Sequence, residues 1–108
     1  MQSTKLLVLT NLPDRAMAEK LADLLISKNL AACVNILDGM RSIYRWEGRI
    51  EEAAEAVLLI KTEQARTQAV IDKVKELHSY SCPCVAIWPL SAGNPEYLDW
   101  IRRESRDA

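Results

Sequence analysis

The chain has 108 residues, 49% of them hydrophobic, which is enough to bury the core of one ordinary domain. Its 14 Lys and Arg residues nearly balance 15 Asp and Glu residues. The formal net charge of -1 therefore creates no bulk attraction to phosphate backbones or anionic lipid. Nucleic acid and membrane surfaces are not expected partners, and we expect a single domain over residues 1–108.

Leader and membrane segments are not indicated either. The apolar run Leu6–Leu9 near the N-terminus is too short for the core of a secretory leader, and no apolar stretch of about 18 residues occurs. We therefore expect the protein in the cytoplasm, where thiols stay reduced. The odd count of three cysteines fits no closed disulfide framework.

The N-terminal third is predicted to form a strand and a helix. Lys5–Thr10 contains a continuous apolar run, which is typical of a strand covered on both faces. Pro13 and Asp14 suit the start of a helix that runs to about Lys28. Asn29 can then end this helix in the left-handed conformation.

A long bent hairpin is predicted next. Leu30–Leu37 is the second strand, and Asp38-Gly39 is read as a bulge because Ser42–Trp46 resumes a β-rich pattern. Glu47-Gly48 supplies a tight turn, and Arg49–Thr62 returns as the partner strand. Such a hairpin would leave apolar side chains and strand edges in water, so we expect another copy of the chain to cover it.

The C-terminal half is predicted to form a helix, a strand and a short last helix. Thr62 is the expected cap of a helix that ends near His78. Cys84–Trp88 reads as the fourth strand, and a final helix begins at Pro95. The predicted order is therefore βαββαβ with an additional helix, an α+β fold.

Three segments of the chain resemble the signature segments of the CutA divalent-cation-tolerance family. They are Leu30–Asn35 (LAACVN), Ser42–Glu51 (SIYRWEGRIE) and Tyr97–Ile101 (YLDWI), in matching order across nearly the whole chain. The resemblance implies a ferredoxin-like βαββαβ sandwich with a long hairpin between its second and third strands. It further implies a homotrimer built by strand pairing between protomers, a non-enzymatic link to copper and other divalent-metal tolerance, and a kinship in architecture to PII-like signal transducers.

One segment departs from the family pattern. The family usually reads His-Pro-Tyr-Glu-x-Pro-Glu before the last strand, whereas this chain has His78-Ser79-Tyr80-Ser81-Cys82-Pro83-Cys84. Both glutamates are replaced, the second of them by Cys84. A cysteine that often ends the first strand in the family is here Thr10.

The same segment carries the only cluster of soft metal donors in the sequence. Residues two apart in extended chain point to one face, so Cys82 and Cys84 can approach one soft ion, with His78 and Cys33 as further candidates. If this cluster binds a metal, the expected ion is copper(I), or else a divalent metal, and binding should weaken as the pH falls. The alternative is structural: Cys84 and Cys33 as small core residues and His78 as a helix-terminal residue.

Other functions find less support in the residues. RNA-recognition modules of the same βαββαβ order need aromatic residues on their central strands, where this chain has Ala53–Ile60. An acylphosphatase-like enzyme would need a phosphate-cradling loop. The single histidine has no serine or acidic residue at a spacing that would support it as a general base. The main alternative is a PII-like small-molecule sensor that binds its ligand in clefts between protomers, with Lys61 and Arg41 as candidate anion-binding residues.

Overall fold

Strands and helices follow one another in the predicted order in the computed structural model, which describes residues 4–78 and 80–106. Residues 1–3, at the start of the segment considered for a leader, and Ser79 of the departing segment lie outside the described residues. The elements are β1 Lys5–Leu12, α1 Arg15–Ser27, β2 Cys33–Trp46, β3 Arg49–Glu63, α2 Thr67–Leu77, β4 Val85–Pro89 and α3 Pro95–Glu104.

The four strands form one antiparallel sheet in the order β2-β3-β1-β4. This is the strand order of the ferredoxin-like sandwich, so the predicted fold class is confirmed. β2 and β4 are the two edges of the sheet. Pro89 ends β4 opposite Leu6, and an edge strand tolerates it because its missing N–H costs no ladder hydrogen bond there.

The core lies between the sheet and the helices α1 and α2. Alternate residues of β1 and β3 are fully buried, among them Val8 paired with Ile60 and Leu12 paired with Ala56. From the helices, Leu21, Leu25, Val70 and Val74 join the same cluster. Each helix thus buries one apolar stripe against one face of the sheet.

The ends of α1 follow the predicted chemistry. The Asp14 carboxylate accepts a hydrogen bond from the Met17 N–H at 2.8 Å, which satisfies one of the free donors in the first turn. Asn29 has φ of 56°, the left-handed conformation expected of it after the helix.

The start of the second helix was predicted wrongly. Thr62 lies in β3 opposite Leu6, is fully buried, and donates its hydroxyl to the Leu30 carbonyl at 2.7 Å. A short 3-10 turn over Gln64–Arg66 then leads into α2 at Thr67. β1 pairs with β3 as far as Glu63, and this pairing keeps Thr62 in extended conformation.

The predicted bulge and turn of the hairpin are confirmed. Leu37 pairs with Val57 and Met40 with Glu55, so β2 carries one extra residue at this point. Gly39 there has φ of 73°, and Gly48 in the turn has φ of 79°, a region that disfavours residues with a Cβ.

The outer half of the hairpin extends beyond the rest of the sheet. β1 pairs with β3 only from Ala56 to Glu63, so Arg49–Glu55 has β2 as its sheet neighbour on one side alone. The described residues accordingly measure 46 × 26 × 22 Å, with a radius of gyration of 14.4 Å. About 13 Å is expected for a chain of this length, so the shape is elongated along the hairpin.

Candidate binding groove

A groove of about 650 Å³ opens beside the outer half of the hairpin. Glu55 lines this groove. Because side chains alternate along β3, Glu55 lies on the opposite face of the sheet from the buried core residue Leu58. We call it the Glu55 groove; it is lined by Asn11, Ser42, Tyr44, Trp46, Glu55, Tyr80, Ser81, Cys82 and Cys84.

The bulge in β2 brings the hairpin side chains into the groove. Directly paired residues of antiparallel strands share a face, and Met40 pairs with Glu55. Ser42, Tyr44 and Trp46 follow at two-residue steps and therefore lie on the face of Glu55. Without the extra residue at the bulge, these three side chains would point to the other face.

Glu55 and Tyr80 form the polar centre of the groove. Glu55 is only 7% exposed, and its Oε2 accepts a hydrogen bond from the Tyr80 hydroxyl at 3.1 Å. Burial, with the hydrogen bond to Glu55 and the negative charge of that carboxylate, raises the pKa of Tyr80 to about 12. The phenol thus stays a donor through the neutral and mildly alkaline range.

A pH titration checks this pair. Since the pKa of Tyr80 rises from 10.0 to about 12 on folding, its stabilising contribution is complete below pH 10 and is lost as the pH rises through about 12. The difference in phenolate absorbance between the parent and Tyr80→Phe is expected to have its midpoint near 12. Glu55→Gln should move that midpoint down towards 10. A midpoint near 10 in the parent would contradict the contact.

His78 lies next to the groove with both ring nitrogens occupied. Nε2 donates to the main-chain carbonyl of Asn11 at 2.5 Å, and Nδ1 accepts from the main-chain N–H of Tyr80 at 3.1 Å. This pattern corresponds to one neutral tautomer of the ring. To bind a metal, His78 would have to give up one of these two hydrogen bonds.

The three predicted cysteine donors divide into a pair and a distant residue. Cys82 and Cys84 are exposed free thiols that both line the Glu55 groove. Partial burial of its sulfur, and to a smaller extent the negative charges of Glu55 and Cys82, raise the pKa of the Cys84 thiol. Cys33 begins β2, at the opposite edge of the sheet from β4, which is three strand spacings or about 14 Å away. Within one chain, Cys33 is therefore out of reach of the pair.

Among the residues described, three or more His, Cys, Asp or Glu side chains do not come together as a metal cluster. The metal donors that line the groove are therefore the two thiols of Cys82 and Cys84, while the Glu55 carboxylate already accepts a hydrogen bond from the Tyr80 hydroxyl. A pair of thiolates fits a soft ion of low coordination number better than a hard ion that needs about six oxygen ligands.

The residues considered for anion binding lie outside the groove lining. Arg41 pairs with Glu52 at 2.8 Å on the exposed opposite face of the hairpin. Lys61 donates to the Asn35 side chain at 2.5 Å, near the start of β2. Neither residue places a positive charge in the wall of the Glu55 groove.

Glu55 is the residue that sequence reasoning missed. The acidic run of Glu51, Glu52 and Glu55 is by pattern typical of solvated cross-strand ion pairs, which describes Glu52 with Arg41 but not the buried Glu55. The available signal was the bulge itself, because the shifted alternation places Glu55 on the face of Tyr44 and Trp46.

The chain belongs to the CutA1 divalent ion tolerance protein family, whose sequence profile matches residues 6–104. The resemblance noted from the three signature segments is thereby confirmed. Membership covers both the hairpin and the segment that contributes Tyr80 to Cys84.

Individual relatives agree with this assignment. The divalent-cation tolerance protein CutA of Thermus thermophilus is 42% identical over 98 residues, which cover 91% of this chain and 95% of the relative. The chloroplastic protein CutA 1 of Oryza sativa is 38% identical over 103 residues, or 95% of this chain, but the match spans only 58% of that relative's length. A solved structure of the Thermus thermophilus protein superposes with a TM-score of 0.92 at 40% identity, covering 94% of this chain and 99% of that one.

None of the helices in the described part of the chain combines the length and apolar character needed to cross a membrane.

Proposed function

We propose that this chain is a single CutA-like domain that works as a homotrimer in divalent-metal tolerance and binds copper(I) through Cys82 and Cys84. The relatives named divalent-cation tolerance proteins support the broad role. The observation that carries the finer proposal is that two free, exposed thiols line one groove. Thiolate ligands select soft ions such as copper(I) over magnesium or manganese.

A copper(I) titration of the reduced protein against a competing chelator tests the site. Cys82→Ser and Cys84→Ser are each expected to weaken binding at least about tenfold, since even outer-shell substitutions commonly cost that much. Cys33→Ser removes a thiol at the far edge of the sheet within one protomer, so a loss of affinity in this variant would mean that Cys33 reaches the site from a neighbouring copy. His78→Gln should have a smaller effect than either cysteine substitution, since both ring nitrogens already have partners. Equal affinity in the parent and both cysteine variants would contradict the proposal.

The shape of the hairpin supports the trimer. Its outer half is a two-stranded ribbon, and such a ribbon is only marginally stable alone in water. It also exposes large apolar side chains, with Ile43 66% and Ile50 68% exposed. Both edges of the sheet, β2 and β4, are free to pair with another copy.

A non-enzymatic role in the cytoplasm completes the proposal. The nitrogens of His78 contact a backbone carbonyl and a backbone N–H, which leaves the ring poorly placed to activate a hydroxyl or thiol. Three free thiols suit a reducing compartment. The rice relative, by contrast, is named as a chloroplastic protein.

The second candidate function is small-molecule sensing in the PII-like manner. The Glu55 groove favours it, because about 650 Å³ lies within the usual range for small-ligand sites and the lining combines aromatic rings with a few polar groups. A trimer that packs against the hairpin would place this groove beside a contact between protomers.

A further inference from the structure

The charge of the Glu55 groove favours cationic ligands over anionic ones. Among the residues that the structure describes, its lining contains one carboxylate, Glu55, and neither Lys nor Arg. In a partly desolvated groove, this single negative charge attracts a cation and repels phosphate or carboxylate ligands.

The hydrogen-bonding groups of the groove also favour a donor-rich ligand. The Asn11 side-chain oxygen is buried and has no hydrogen-bond partner among the described residues. At Glu55, the Tyr80 hydroxyl contacts Oε2, which leaves Oε1 for a ligand. An unpaired buried acceptor is costly, and a ligand that brings N–H groups would remove this cost.

Three aromatic residues complete the wall. Tyr44, Trp46 and Tyr80 line the groove and are 38–44% exposed in the single chain, which leaves ring surface facing the groove. Aromatic faces attract cations, and an ammonium or guanidinium group is often held jointly by aromatic rings and a carboxylate. A hard metal ion would gain less from these rings, because it prefers oxygen ligands.

We propose that the Glu55 groove binds a small organic cation with N–H donors, a compound of the ammonium, amidinium or guanidinium class. Glu55 forms the ion pair, the Asn11 side-chain oxygen accepts a further N–H, and Tyr44, Trp46 and Tyr80 surround the cation. This inference deepens the ligand-sensing function and rests on it, while it is independent of copper binding by Cys82 and Cys84.

The test uses three probes of nearly equal size and shape: benzamidinium, neutral benzamide and anionic benzoate. Calorimetry or NMR titration of the full-length protein, in its own oligomeric state, is expected to show binding of benzamidinium. Benzamide should bind at least about tenfold more weakly, because it cannot form the charge-assisted pair, and benzoate should not bind.

Two substitutions at the polar centre should differ in their effect on benzamidinium affinity. Glu55→Gln keeps the side-chain shape and an oxygen that can accept from Tyr80, but it removes the charge, so benzamidinium affinity should fall at least about tenfold, to that of benzamide. Tyr80→Phe keeps the ring and frees the second carboxylate oxygen, so affinity should be equal or higher. A purely structural role for the Glu55–Tyr80 pair would make both substitutions harmful.

The matched control is Glu52→Gln, which removes an equal charge from the same strand but on the opposite face, where Glu52 pairs with Arg41. It should leave benzamidinium affinity unchanged. The proposal is overturned if benzamidinium fails to bind the parent, if benzamide binds equally well, or if Glu55→Gln and Glu52→Gln behave alike. Copper(I) titration of the cysteine variants would still decide the metal site separately.

Discussion

Replacing Ile43 and Ile50 together by lysine is expected to convert the proposed trimer into monomers. The two side chains are diagonal neighbours on one face of the hairpin, since Ile43 pairs with Glu52 and Arg45 with Ile50. They are the most exposed of the large apolar residues in the described part of the chain, at 66% and 68%. A partner protomer that covers them would have to bury two ammonium groups in the variant, which is strongly unfavourable without counter-charges.

Light scattering at micromolar concentration provides the measurement. The parent should give three times the chain mass of 12.2 kDa, and the double variant should give the mass of one chain. Ile26→Lys is the control, because Ile26 is also an exposed apolar residue, 43% exposed, but lies on α1 away from the hairpin. A parent chain that scatters as a monomer would overturn the trimer, and a double variant that stays trimeric would exclude this face from the contact.

Leu25→Ala is expected to lower the free energy of unfolding by about 2–5 kcal/mol, the usual cost of emptying a fully buried leucine site. Leu25 is 0% exposed and belongs to the cluster between α1 and the sheet. Cavity formation adds to the lost transfer free energy, because the surrounding β1 and β3 side chains cannot fully relax into the space. This loss is large compared with a typical total stability of about 5–15 kcal/mol.

The neighbouring Leu24 supplies a matched control for denaturant unfolding. Leu24 lies on the same helix but is only partly buried, so Leu24→Ala removes the same atoms and brings the same gain in helix propensity. Its cost should be clearly smaller than that of Leu25→Ala. If the two variants unfold at the same denaturant concentration, the assignment of Leu25 to the core is wrong.

The candidate site was predictable only in part. Cys82 and Cys84 were singled out from the sequence as candidate metal donors, and both line the groove. Glu55 and Asn11 were not, because their roles depend on pairs that form between distant segments, such as the contact of Glu55 with Tyr80. The distance of Cys33 from the other two cysteines within one chain has the same origin: strand order, and not spacing along the chain, sets that separation.

Local patterns in the sequence by themselves determined the order of the helices and strands and many of the residues at which they begin, bend or end. Asp14 as helix cap, Asn29 after the helix, the bulge at Gly39 and the turn at Gly48 depend on neighbouring residues and on backbone preference. Only the tertiary structure decided which face each hairpin side chain occupies at the groove and which carboxylate is buried there. One extra residue at the bulge reverses the alternation, and the pairing of β1 with β3 ends just before Glu55, so an otherwise ordinary acidic residue becomes the centre of a pocket.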